Sequence, residues 1–118
     1  MVVDLQGRPV QSDCRASAET LLHTALYQVF PDAGAVLHTH SVNATVLSRL
    51  VLAGELLTFE GYELQKAFDG VDTHNSVVTV PVFENTQDIE ALARETREWF
   101  LEHPRQPGYL IRGHGLYT

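Results

Sequence analysis

The chain has 118 residues, a length for one small domain, and its 44% hydrophobic and 19% charged residues make an ordinary globular composition. A formal net charge of −7 argues against a nucleic-acid-binding surface, which needs a basic face, yet it leaves room for a phosphorylated metabolite held by backbone amides or a metal. The single cysteine, Cys14, excludes an internal disulfide, no apolar run reaches the length of a membrane span, and the first residues lack a secretory pattern, so a soluble cytoplasmic protein is expected.

In chain order, "MVVDLQGRPV" predicts two short strands around Gln6-Gly7, a hairpin. "SAETLLHTALYQVFPDAG" predicts a helix with Ser17 as its cap. Ala18, Leu21, Leu22, Ala25, Leu26 and Val29 form its apolar stripe, and Pro31 and Gly34 end it. "AGAVLHTH" predicts a short strand running into His38 and His40, and Ser41 can cap a helix over "VNATVLSRLV". "LLTFEGYELQKAF" suggests a further helix, less regular and interrupted by Gly61. "SVVTVPVF" predicts a strand from its β-branched content, with Pro81 placing it at an edge or bulge.

"TQDIEALARETREWFLEHP" is the clearest helix, capped by Thr86, with Ile89, Leu92, Ala93, Thr96, Trp99 and Phe100 on one face. "GYLIRGHGLYT" predicts a final strand interrupted by Gly-His-Gly. The alternation predicts an α/β or α+β fold with helices packed on a sheet. Strand-like segments at both ends, without capping elements, predict a portion of a larger domain or a domain that needs partner chains.

His38 and His40 are two apart, so on a strand their rings share a face and can converge on one ion. Catalytic zinc sites commonly use three protein ligands and keep one position open. His114 is the best third candidate, because Gly113 and Gly115 beside it permit close approach. The plainer reading is that HxH pairs also occur by chance. His23 beside the first helix's apolar stripe reads as a packing residue, His74 as a loop histidine or spare ligand, and His103 as a helix-end residue suited to the dipole.

Two carboxylates draw attention. Glu19 lies in the first turn of the first helix, where the dipole favours it. Glu63 is flanked by Phe59, Tyr62 and Leu64, and apolar surroundings, with Glu60 nearby, would raise its pKa and suit it to act as a general acid. The alternative is an exposed glutamate paired with Lys66.

Taken together, "AETLLHTALYQVFPDAGAVLHTHSVNATVLS", "LTFEGYELQKAF", "HNSVVTVPVFENTQDI" and "YLIRGHGLY" resemble the class II aldolase/adducin-like family over essentially the whole chain. The second and third stretches resemble its dehydratase branch in particular. The resemblance implies one partial domain over residues 1–118, with helices layered on a mixed, mainly antiparallel sheet. It also implies one zinc ion per subunit held by His38, His40 and His114, a phosphorylated ketose substrate, and a homotetramer. Glu63 matches the acid/base of the dehydratase branch, and Glu19 matches that of the aldolase branch. Family members are longer, with phosphate-binding Gly/Ser loops upstream and more helix downstream, so this chain resembles their central portion.

A bound dication polarises a ketone and acidifies the adjacent carbon. Protonating the hydroxyl one carbon further expels water, whereas deprotonating it breaks the carbon–carbon bond. The resemblance therefore implies a dehydratase, with a sugar-phosphate aldolase or epimerase as the second reading. Non-catalytic adducin-like modules are a third, against which a complete histidine set counts.

Overall fold

The computed structural model describes residues 1–118, which form two compact units, Met1–Leu37 with Thr86–Pro104, and His38–Asn85 with Arg105–Thr118. The elements in chain order are α1 (Thr20–Val29), β1 (His38–Thr39), α2 (Val42–Leu47), β2 (Leu56–Phe59), a 3-10 helix (Glu63–Ala67), β3 (Val78–Phe83), α3 (Ile89–Glu102), β4 (Tyr109–Ile111) and β5 (Gly115–Tyr117).

The first unit opens on a turn with a single antiparallel bridge, Val3 to Pro9, in place of the two expected strands. The Asp4 carboxylate accepts the Gln6 and Arg8 backbone N–H groups at 3.0 and 2.9 Å, which draws the turn's amides inward and shortens the ladder. α1 starts later than Ser17 predicts. The Ser17 hydroxyl accepts only from the Glu19 N–H, at 3.4 Å, and the helix begins behind Glu19 without a side-chain cap. Leu22, Ala25 and Leu26 of the expected stripe are buried, together with Thr24.

α1 packs along α3, whose buried face carries Leu92, Ala93, Thr96 and Phe100. Phe30 meets Phe100 edge to face, with ring centroids 5.7 Å apart. The cap of α3 is Asp88, not Thr86. The Asp88 carboxylate accepts from the Ala91 N–H at 2.9 Å, and Thr86 instead accepts from the N–H of Asp88 itself. His103 closes α3 structurally: its Nδ1–H donates to the Trp99 carbonyl at 2.9 Å and its ring stacks on the indole.

The second unit is built on a five-stranded sheet in the order β1-β5-β4-β3-β2. β3 and β4 run parallel and the other pairings are antiparallel, so the sheet is mixed and mainly antiparallel, as expected for this α/β class. Leu57, Val80, Val82 and Leu110 form its buried core, and Ala44 and Leu47 of α2 pack on them. Burying one such side chain contributes about 1.5–3 kcal/mol.

Three expectations change in this unit. "LLTFEGYELQKAF" is not one helix. Its first part is strand β2, Gly61 turns the chain at φ +83°, and a short 3-10 helix follows. β3 is an interior strand, so Pro81 is at no edge. Pro81 stands opposite Leu56 of β2, and the Val82 N–H still donates to the Glu55 carbonyl at 3.0 Å, so by alternation the missing Pro81 N–H faces the β4 side, where pairing begins only at Val82. Finally, "GYLIRGHGLYT" is a hairpin, β4 to β5, that turns through residues 112–114, which places His114 on the turn and not on a strand. No helix is long and apolar enough to cross a membrane.

Candidate metal centre

β1 is a two-residue strand held by β5, with His38 opposite Tyr117 and Thr39 opposite Leu116. That register orients His38 in two ways. Its Nδ1 lies 3.0 Å from the Leu116 carbonyl oxygen. A carbonyl only accepts, so Nδ1 carries the proton, and the Nε2 of the neutral ring presents a lone pair. The imidazole also stacks on Tyr117 at 4.1 Å, and Tyr117 stacks on Tyr109 at 4.8 Å, a column of rings across the neighbouring strands β1, β5 and β4.

His40 follows β1 directly and precedes α2, whose cap is Ser41, the hydroxyl accepting from the Ala44 N–H at 3.5 Å. His114 comes from the distant β4–β5 turn, where its N–H donates to the Ile111 carbonyl at 3.0 Å. The three side chains nevertheless meet. His40 Nε2 stands 2.8 Å from His38 Nε2 and 3.0 Å from His114 Nε2. An imidazole Nε2 offers one in-plane position, either a proton or a lone pair, so that of His40 cannot serve both neighbours by hydrogen bonding. A cation at the point of convergence would be served by all three rings. Two nitrogens bound to one tetrahedral zinc at 2.0–2.1 Å stand about 3.3 Å apart, close to the separations found here. The donor set thus fits a divalent metal.

Gly115 is what lets the strands close around this point. A Cβ there would strike the Thr39 carbonyl oxygen and come within 2.9 Å of His38 Cε1 and 3.2 Å of His40 Cδ2. Gly113 has φ +70°, and a Cβ on it would lie 2.8 Å from Arg49 Nη1. Gly115 is therefore required by close backbone approach and Gly113 by its left-handed backbone conformation.

The structure does not place Glu63 in apolar surroundings. Its carboxylate is exposed and bound to Lys66 Nζ at 2.6 Å and to His74 Nδ1 at 3.1 Å. The hydrogen bond and positive charge of Lys66, and secondarily the charge of His74, hold its pKa below the ordinary value, opposite to the expected rise. Its apolar flanks do not desolvate it: Tyr62 and Leu64 are themselves 60% and 86% exposed. Glu60 is exposed as well. His74 is thus the partner of Glu63 and not part of the histidine cluster. Glu19 lies half-buried ahead of α1, its carbonyl accepting from the Leu22 N–H at 3.0 Å. Cys14 is exposed, and its N–H donates to Ser12. Sequence reasoning missed Tyr109, Tyr117 and the Leu116 carbonyl, whose part depends on a pairing between positions 38 and 117 that no local pattern announces.

A three-histidine cluster at the edge of a mixed sheet makes this an α/β domain with a candidate metal centre, and comparison with known proteins identifies the family. The chain belongs to the Class II Aldolase and Adducin N-terminal domain family, which matches residues 1–118. It is similar to methylthioribulose-1-phosphate dehydratases: 74% identical over 118 residues to that of Marinobacter nauticus, 62% to that of Hahella chejuensis and 60% to that of Pseudomonas syringae pv. syringae. Each alignment takes in 100% of this chain and 57% of the relative, so the chain spans little more than half the length of the curated relatives it matches.

Proposed function

We propose that this protein is a zinc-dependent lyase of methionine salvage, dehydrating 5-methylthioribulose 1-phosphate to 2,3-diketo-5-methylthiopentyl 1-phosphate. The observation that carries this reading is the convergence of the Nε2 atoms of His38, His40 and His114, at 2.8 and 3.0 Å along the cluster, in a chain 74% identical to a dehydratase of that name. His38, His40 and His114 would hold the zinc ion, which supplies a positive charge that polarises the substrate ketone and acidifies the neighbouring carbon. Three imidazoles also suit iron or nickel, so metal analysis belongs to the test. One family profile runs through both compact units, which supports reading residues 1–118 as a single partial domain. The working enzyme is cytoplasmic and a homotetramer in this reading, by analogy with the family.

Glu63 is the acid/base. Lys66 and His74 favour its ionised form, so it takes a proton before it gives one. The balance is simple: the C–H bond beside the ketone breaks with its proton moving to a Glu63 carboxylate oxygen. The same proton then passes to the hydroxyl one carbon further, the C–O bond breaks, and water leaves. Tautomerisation of the resulting enol gives the diketone.

One observation favours a second reading. Glu63 is exposed and ion-paired, whereas Glu19 is half-buried, which would suit a sugar-phosphate aldolase or epimerase with Glu19 as acid/base. Product analysis with 5-methylthioribulose 1-phosphate separates the two. A single product lighter by one water supports dehydration, and two shorter fragments or an epimer supports the alternative. Glu63→Gln should lower kcat by about 10²–10⁴-fold with metal still bound. Full activity in that variant, with loss in Glu19→Gln, transfers the role to Glu19.

A further inference from the structure

The turn that carries His114 is tied at two points to α2, the helix that starts directly behind His40. The Thr45 hydroxyl donates to the His114 carbonyl oxygen at 3.0 Å. The Gly113 N–H donates to the Ser48 hydroxyl oxygen at 2.8 Å, and the Ser48 O–H donates in turn to the Thr45 carbonyl at 2.7 Å. Ser48 is fully buried, at 0% exposure, so its oxygen has no water to turn to and its geometry is fixed. Thr45 and Ser48 are three apart, and their side chains reach the same turn from one face of the helix.

We propose that Thr45 and Ser48 are positioning residues for the third metal ligand, and that α2 acts as a clamp setting the distance between the HxH pair and His114. This rests on reading His38, His40 and His114 as the ligands. The physical case is that each end of α2 is committed to one side of the cluster. At its N-terminal end, Ser41 caps the helix immediately after His40, and the Thr45 N–H donates to the Ser41 carbonyl at 2.9 Å. One turn on, Thr45 and Ser48 grip the residues on either side of the Gly113–His114 peptide bond. The spacing of one helical turn is thereby transferred to the 3.0 Å approach of His40 Nε2 and His114 Nε2. β1 supplies only part of that constraint, being two residues long and joined to β5 alone. A hydroxyl inside a six-residue helix and another at its C-cap are unremarkable by sequence, since Ser and Thr there commonly bond back to their own helix. Here the Thr45 hydroxyl bonds outward, to the backbone of the ligand itself.

The test is a Co²⁺ titration of the full chain, read from the visible spectrum of the bound ion and repeated with Zn²⁺ in competition. Thr45→Val keeps the shape and removes the donor, and should weaken affinity about 10–100-fold, the usual cost of losing a group that orients a ligand. Thr45→Ser restores the hydroxyl and should return affinity to within about threefold. Ser48→Ala should weaken binding comparably, with an altered Co²⁺ spectrum. Thr96→Val is the control for lost stability, because its buried hydroxyl bonds only to the α3 carbonyls of Leu92 and Ala93. It should leave affinity unchanged. Wild-type affinity in both Thr45→Val and Ser48→Ala, or equal weakening in Thr96→Val, overturns the clamp while leaving the metal site standing. A wild-type chain that binds no Co²⁺ overturns the ligand assignment and the clamp with it.

Discussion

Lys66 favours the ionised form of Glu63. The ammonium sits 2.6 Å from one carboxylate oxygen, three residues along the 3-10 helix, and His74 approaches the other at 3.1 Å. A hydrogen bond and a positive charge both favour the ionised form, so the folded pKa lies below the ordinary 4.5. The sign follows: the stabilisation is fully present above the unfolded value near 4.5 and is lost as pH falls through the lower folded value. With the Glu63 and Lys66 side chains 69% and 44% exposed, salt screens the pair and its share of stability is small. Lys66→Met should therefore raise the Glu63 carboxyl pKa toward 4.5, read by NMR titration of the side-chain carboxyl, while Lys66→Arg keeps it depressed. An unchanged titration in Lys66→Met would show that the ion pair does not lower the carboxyl's pKa.

Among the elements, α3 offers the cleanest test of how its start is fixed. Asp88 accepts from the Ala91 N–H, three residues into the helix, while Thr86 satisfies only the N–H of Asp88. Asp88→Ala should cost about 1 kcal/mol in urea unfolding, as a lost N-cap does, and Thr86→Ala less than half as much. Equal costs would mean that Thr86 shares the capping. Thr86, the cap expected from sequence, lies two residues ahead of Asp88, which caps the helix instead.

The same contrast runs through the fold. The stripes of α1 and α3 were legible because 3.6-residue periodicity is local, and Leu22, Ala25, Leu26, Leu92, Ala93 and Phe100 are buried as expected. "LLTFEGYELQKAF" is ambiguous in sequence because Leu56, Leu57 and Phe59 fit a short apolar run of either kind, and only pairing with β3 makes Leu56–Phe59 a strand. The histidines were legible as a pattern, whereas the surroundings of Glu63 were not. In the 3-10 helix Leu64 turns outward, Tyr62 is exposed as well, and Phe59 packs against the sheet core instead of against Glu63. The support of His114 was illegible for a different reason, since Thr45 and His114 are 69 residues apart and nothing local links them.

At the scale of the molecule, the histidine cluster joins segments 74 residues apart across a sheet whose outermost strand, β1, is two residues long. A strand so short adds few ladder bonds, so a metal bridging His38, His40 and His114 would secure that edge better than the backbone does. The unfolded chain has no preformed site, and binding energy therefore appears as folding energy. Metal at 100 times its Kd should stabilise the fold by about 2.7 kcal/mol. For a chain of 118 residues that raises the thermal midpoint by roughly 10 °C. Differential scanning calorimetry of the chelator-stripped chain, before and after adding Zn²⁺, measures this directly. His114→Ala should lose most of the increment. A rise of the same size in His114→Ala would mean that the metal stabilises the protein from somewhere other than this cluster.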